Sequence, residues 1–140
     1  FFISNSFHAD LRALFYPVHY AGPDAAAQAA LRGHVQTRLM RHLQTLDRAA
    51  SDWPNTTAGD DPAPEVSLLE LYLCPLLRWC ALYPLGGTGW FDLQATRTLA
   101  AMAARVEQRA SVRRAQSAEG LGPTPFTRPR PATPPEGSAT

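Results

Sequence analysis

Apolar residues recur along this chain at steps of three and four and nowhere alternate, which is the signature of helices rather than strands. From Phe2 to about Phe15, the residues Ile3, Phe7, Leu11, Leu14 and Phe15 form one stripe. It stops at Tyr16–Pro17, because a proline disfavours helical geometry in the residue before it. Asp24 is placed to cap the next helix, expected over Ala25–Ala50. Leu31, Val35, Leu39, Leu43 and Leu46 form the stripe of that helix, and at 1.5 Å per residue it spans about 40 Å. The polar, proline-punctuated run "SDWPNTTAGDDPAPE" then reads as a loop.

The next stretch, "VSLLELYLCPLLRWC" from residue 66 to 80, is apolar on every side, broken only by Glu70 and Arg78. A helix of that kind belongs in the centre of a bundle. Ser67 and Glu70 have the spacing of a capping box, each side chain satisfying the other residue's amide, with Val66 and Leu71 placed as a hydrophobic staple. Pro75 has no N–H to offer the Leu71 carbonyl, so a bend is expected there. After the glycine-rich loop "YPLGGTGWFDL", the helical pattern resumes at about Leu93 with Leu99, Met102 and Val106, then Val112 after a break near Ala110. Gly120 suits the left-handed position that closes a helix, and Leu121 can fold back on the last turn. The remainder is proline-rich and reads as a disordered or extended tail. The expectation is an all-α bundle of about five to six helices over residues 1–121, followed by a tail over 122–140.

Composition narrows the function. A chain of 140 residues with 45% hydrophobic content suits one domain with a sizeable core, and a net charge of +1 gives no electrostatic case for nucleic acid or an anionic membrane. No apolar run reaches the length of a membrane span, and "FFISNSFHAD" lacks the basic flank and cleavage site of a secretory signal. Cys74 and Cys80 fall on different faces of one helix and cannot pair with each other, which suggests a reducing, cytoplasmic setting. The chain opens on Phe1, inside an apolar periodic stretch, so an N-terminal portion is expected to be missing.

Of the four histidines, His34 and His42 lie about 12 Å apart along one helix, too far to share a metal ion, and no metal site is expected. His8, at the edge of the first stripe, reads on the residues alone as a helix-boundary histidine hydrogen-bonded to a neighbour. Arg78 is either half of a structural ion pair or an anion contact at the end of a cleft. "LGGTG" matches no phosphate-binding fingerprint, and "RPRP" in the tail is a weak match to ligands of proline-binding domains.

Four segments together carry a family likeness: "SNSFHADLRALFYP", "WPNTTAGDDPAPEVSLLELYL", "LYLCPLLRW" and "RVEQRASVRRAQSAEGLG". Over roughly residues 1 to 121 they resemble the C-terminal helical domain of glutathione transferases, closest to the bacterial beta-class type. The resemblance implies a preceding thioredoxin-like domain, absent from this chain, that holds glutathione as co-substrate and supplies a Cys, Ser or Tyr beside its sulfur. It implies that His8 approaches that sulfur, and that Asn5 and Ser6 reach the glutathione of the neighbouring subunit in a homodimer built partly on the first two helices. Leu11, Tyr72 and Trp79 would line the pocket for a small hydrophobic electrophile, with Arg78 beside it. The chain departs from the pattern at Ala9, where the family often has lysine, at Glu70 for the usual Asp, at Ala110 for the usual proline, and at Pro75. The implied function is the substrate half of a glutathione-conjugating enzyme, this fragment alone lacking the glutathione site and activity. The alternative is a non-catalytic docking module of the same fold.

Overall fold

The computed structural model describes residues 1–53 and 66–134, and among them there are helices and no strands. A π-helical turn, Ile3–Phe7, runs directly into α1, His8–Phe15. Ile3, Phe7 and Leu11 recur every four residues, which overshoots an ordinary turn of about 3.6 residues, and the wider opening turn lets Ile3 and Phe7 both face the core. A short α2, Val18–Ala21, follows Pro17, and α3 spans Ala25–Ala50 with the expected bounds. Asp24 caps α3, its carboxylate accepting the amides of Ala26 at 2.7 Å and Ala27 at 3.0 Å. Asp10 on α1 ties it to α3 by accepting from Arg38 at 2.9 and 2.5 Å and from His42 at 3.1 Å. The loop expected over residues 51–65 lies outside the described residues beyond Trp53.

Helix α4, Leu68–Leu82, starts at the capping box: the Glu70 amide donates to the Ser67 hydroxyl and the Ser67 amide to the Glu70 carboxylate. Pro75 stands within α4, which runs on to Leu82. A 3-10 turn at Leu93–Ala95 leads into α5, Arg97–Glu107, and α6, Ala110–Ala118. The start of α5 is capped by another helix, since Asp47 on α3 accepts the Leu99 amide at 2.9 Å. Arg105 on α5 reaches the Glu70 carboxylate, so the cap of α4 is also an ion pair between helices. The core is made where α1, α3, α4 and α5 meet, around Phe7, Leu14, Leu39, Leu77 and Val106.

Burial of α4 is uneven, unlike the all-round enclosure that its composition predicts. Its second half is enclosed, but Leu68, Leu69, Leu71 and Tyr72 in the first half are exposed. Leu71 is therefore 42% exposed, while Val66 packs against the core.

The tail differs most from expectation. Residues 122–134 pack onto the bundle, burying Pro125, Phe126 and Ala132. Two buried charged side chains hold them. Arg78 donates to the carbonyls of Pro125 at 3.2 Å and Arg130 at 2.9 Å. Glu107 accepts the amides of Phe126 at 2.7 Å and Thr127 at 2.6 Å, and the Thr127 hydroxyl at 2.9 Å. Gly120 has φ +62°, and the Leu121 amide donates back to the Gln116 carbonyl, as the sequence predicts. It also has a packing reason to be glycine: a Cβ there would stand 1.9 Å from the Thr133 carbonyl oxygen. Low apolar content suggested a loose tail, but backbone hydrogen bonds to Arg78 and Glu107 hold the segment where side-chain burial alone would be slight. Residues 135–140 lie outside the description.

Glu107→Ala should cost about 2 kcal/mol, because two amides lose a charged acceptor, and should accelerate hydrogen exchange at Phe126 and Thr127. Urea unfolding and amide exchange would measure both. A pH effect follows from Glu70. Burial pushes its carboxyl up, but the Ser67 amide and the Arg105 guanidinium outweigh that, and the net shift is downward. A carboxyl held below its unfolded value stabilises the fold above about pH 4.3 and loses that contribution as pH falls through the folded value. The melting temperature of the native chain should therefore fall more steeply below pH 4.3 than that of Glu70→Gln.

Candidate functional site

The helical spacing of α1 places His8, Arg12, Phe15 and Tyr16 along one side, three and four residues apart. His19 comes from α2, Trp79 from the last turn of α4, and Tyr83 from just beyond it. These seven residues line a cleft of about 460 Å³, within the range that suits a small organic ligand. Its walls are mainly aromatic, and the Phe15 and Tyr83 rings meet edge-on at 6.3 Å.

His8 is half-buried in this cleft. Its Nδ1 shares a 2.7 Å hydrogen bond with the Tyr72 hydroxyl, with the donor set by the imidazole tautomer. Its ring centre lies 5.9 Å from that of Tyr72 and 6.0 Å from that of Trp79. Burial holds the His8 imidazole below its ordinary pKa, and the neighbouring Arg12 guanidinium pushes it the same way. The neutral form therefore predominates at pH 7. A neutral imidazole bonded at Nδ1 can accept a proton or donate a hydrogen bond from Nε2.

The structure thus brings together His8, Tyr72 and Trp79. Leu11 is fully buried in the core and is not among the residues that line this cleft. Arg78 is also buried, and its contacts with the Pro125 and Arg130 carbonyls turn it toward the tail. Asn5 and Ser6 sit on the π-helical turn, where Asn5 Oδ1 accepts from the Ser4 hydroxyl, and neither lines the described clefts. Ser67 and Glu70 are occupied by the cap. Cys74 and Cys80 are buried free thiols. Burial, reinforced by the Glu70 and Glu107 carboxylates, pushes the Cys74 thiol up to about 12, and burial pushes Cys80 up as well, so neither is poised as a nucleophile.

A second cleft of about 490 Å³ lies between the start of the chain and the start of α4, lined by Phe1, Phe2, Trp53, Leu69 and Tyr72 among others. The His8–Tyr72 bond links the two clefts, since His8 lines the first and Tyr72 the second. Among the described residues no group of three or more His, Cys, Asp or Glu side chains could hold a metal ion, and no helix is long and apolar enough to cross a membrane.

Sequence reasoning singled out His8 and Trp79 as site residues but passed over Arg12, Phe15, Tyr16, His19 and Tyr83. Arg12 carried a usable signal, because four residues on from His8 is the same helix face. Tyr83 and His19 carried none, since their positions depend on how the chain turns after α4 and α1. No protein-family model, curated protein or solved structure matches this chain.

The His8 imidazole should titrate with a midpoint below about 6.5 when followed by carbon-detected NMR of the ring. In Arg12→Gln the midpoint should rise only partway, because burial is the larger cause.

Proposed function

We propose that this chain is the substrate half of a glutathione transferase, in which the cleft between α1 and the end of α4 receives a small hydrophobic electrophile. The observation that carries this reading is the pairing of His8 with Tyr72 at the edge of an aromatic cleft containing Trp79. These are three residues that the family likeness singles out, drawn from two distant stretches of sequence. With the Tyr72 phenol donating to Nδ1, the Nε2–H of His8 is left to donate to a thiolate sulfur as it attacks the electrophile. Trp79, Phe15 and Tyr83 supply apolar surface for the acceptor and keep water from its reactive carbon. Glutathione itself would be held by a thioredoxin-like domain outside this chain, and the enzyme would be a homodimer.

Leu11 and Arg78 are not part of this proposal as direct contacts, since both are buried away from the cleft. Leu11 supports α1 from the core side, and Arg78 fixes the tail.

One observation favours a second reading, a docking module. Leu69 lines the second cleft with Phe1 and Phe2, and Leu68 and Leu71 are exposed as well, apolar surface that the transferase chemistry leaves unused.

The natural gene product containing this chain should conjugate glutathione to an aryl halide, and His8→Ala should lower kcat/KM about 100-fold with little change in melting temperature. A gene product that folds but neither binds glutathione nor conjugates it would favour the docking module.

A further inference from the structure

The cleft has one cation placed among its aromatic walls. None of its seven lining residues is an aspartate or glutamate. Arg12 is exposed, and among the described residues no carboxylate pairs with it. The other arginines near α1 and α4 are engaged: Arg38 grips Asp10, Arg105 grips Glu70 and Arg78 holds the tail. Arg12 is also close enough to His8 to disfavour its protonated form. The cleft thus combines a fixed positive charge with apolar surface and no compensating anion.

We propose that the acceptor taken by this cleft is an aromatic acid: a planar body packed against Trp79, Phe15 and Tyr83, with its carboxylate held by Arg12. This rests on the reading of the cleft as the electrophile site and narrows its substrate class. A guanidinium pairs a carboxylate through two parallel hydrogen bonds, and its cation also favours the faces of neighbouring rings. A neutral arene would gain the aromatic contact alone. Glutathione also carries carboxylates, so the shared chemistry is a carboxylate at Arg12, and the two sources separate by experiment.

The probe pair is biphenyl-4-carboxylate and biphenyl-4-carboxamide, titrated into the chain without glutathione and followed by NMR at the Trp79 indole. The acid should bind about tenfold tighter than the amide in low salt, as expected for one charge-assisted contact. Arg12→Gln should bring that ratio close to one, while Arg12→Lys should retain part of the preference. Equal affinity for the two probes, or a preference that survives Arg12→Gln, overturns the proposal. Displacement of the bound acid by glutathione alone also overturns it, by assigning Arg12 to the glutathione carboxylate. No conjugation step enters this test. An acid preference in a protein that fails to conjugate would therefore count against the transferase reading and leave the aryl-acid site standing.

Discussion

Helix α4 carries two charged side chains into the interior, and each must find partners there. An unpaired buried charge is strongly destabilising, on the order of several kcal/mol. Glu70 meets the Ser67 amide and the Arg105 guanidinium at one end of the helix. Arg78 meets the Pro125 and Arg130 carbonyls at the other. The first arrangement fixes α5 against the start of α4. The second requires the chain after α6 to return across the bundle, where Glu107 grips it from α5. The tail is thus folded because the core contains an arginine, and the close approach of Gly120 to Thr133 follows from that return path.

The same fixing of α4 makes the cleft. With its second half enclosed, α4 presents Trp79 and then Tyr83 toward α1, whose position on α3 is held by the bonds of Asp10 to Arg38 and His42. His8 and Arg12 lie on the opposite side of α1 from Asp10, so the bonds that anchor the helix also aim its other face at the aromatic wall. The Tyr72 hydroxyl completes the arrangement by reaching His8 from one half of α4 while Trp79 stands beside it from the other. The placement of His8 therefore depends in part on Asp10, Arg38 and His42, which lie outside the cleft.

Much of this was legible in the sequence because it is local. The stripe of α3, the Asp24 cap, the Ser67–Glu70 box and the Gly120 terminus are all written within a few residues, and each is present. What could not be read depends on long-range pairing. Nothing near Arg78 announces that its partners lie 47 and 52 residues onward, and nothing near Glu107 announces the amides of Phe126 and Thr127. A proline-rich composition suggested a loose tail because its backbone hydrogen bonds to side chains elsewhere leave no mark on periodicity. The even apolar coating of α4 likewise could not reveal that Leu68 and Leu71 stay exposed. At the cleft, His8 was legible from its place at the edge of the first stripe and from the family likeness, and Arg12 could have been read from the shared helix face, whereas Tyr83 and His19 arrive through turns that no spacing rule specifies.

On the proposed function, a ligand is received in the aromatic cleft beside His8 and not at the apolar surface beside Phe1 and Phe2. Titration of S-benzylglutathione into isotope-labelled protein, read at the histidine and tryptophan side chains, tests it most directly. Saturable shifts are expected at His8 and Trp79, with Trp53 and Trp90 silent. Shifts centred on Trp53, or none that saturate, would contradict it.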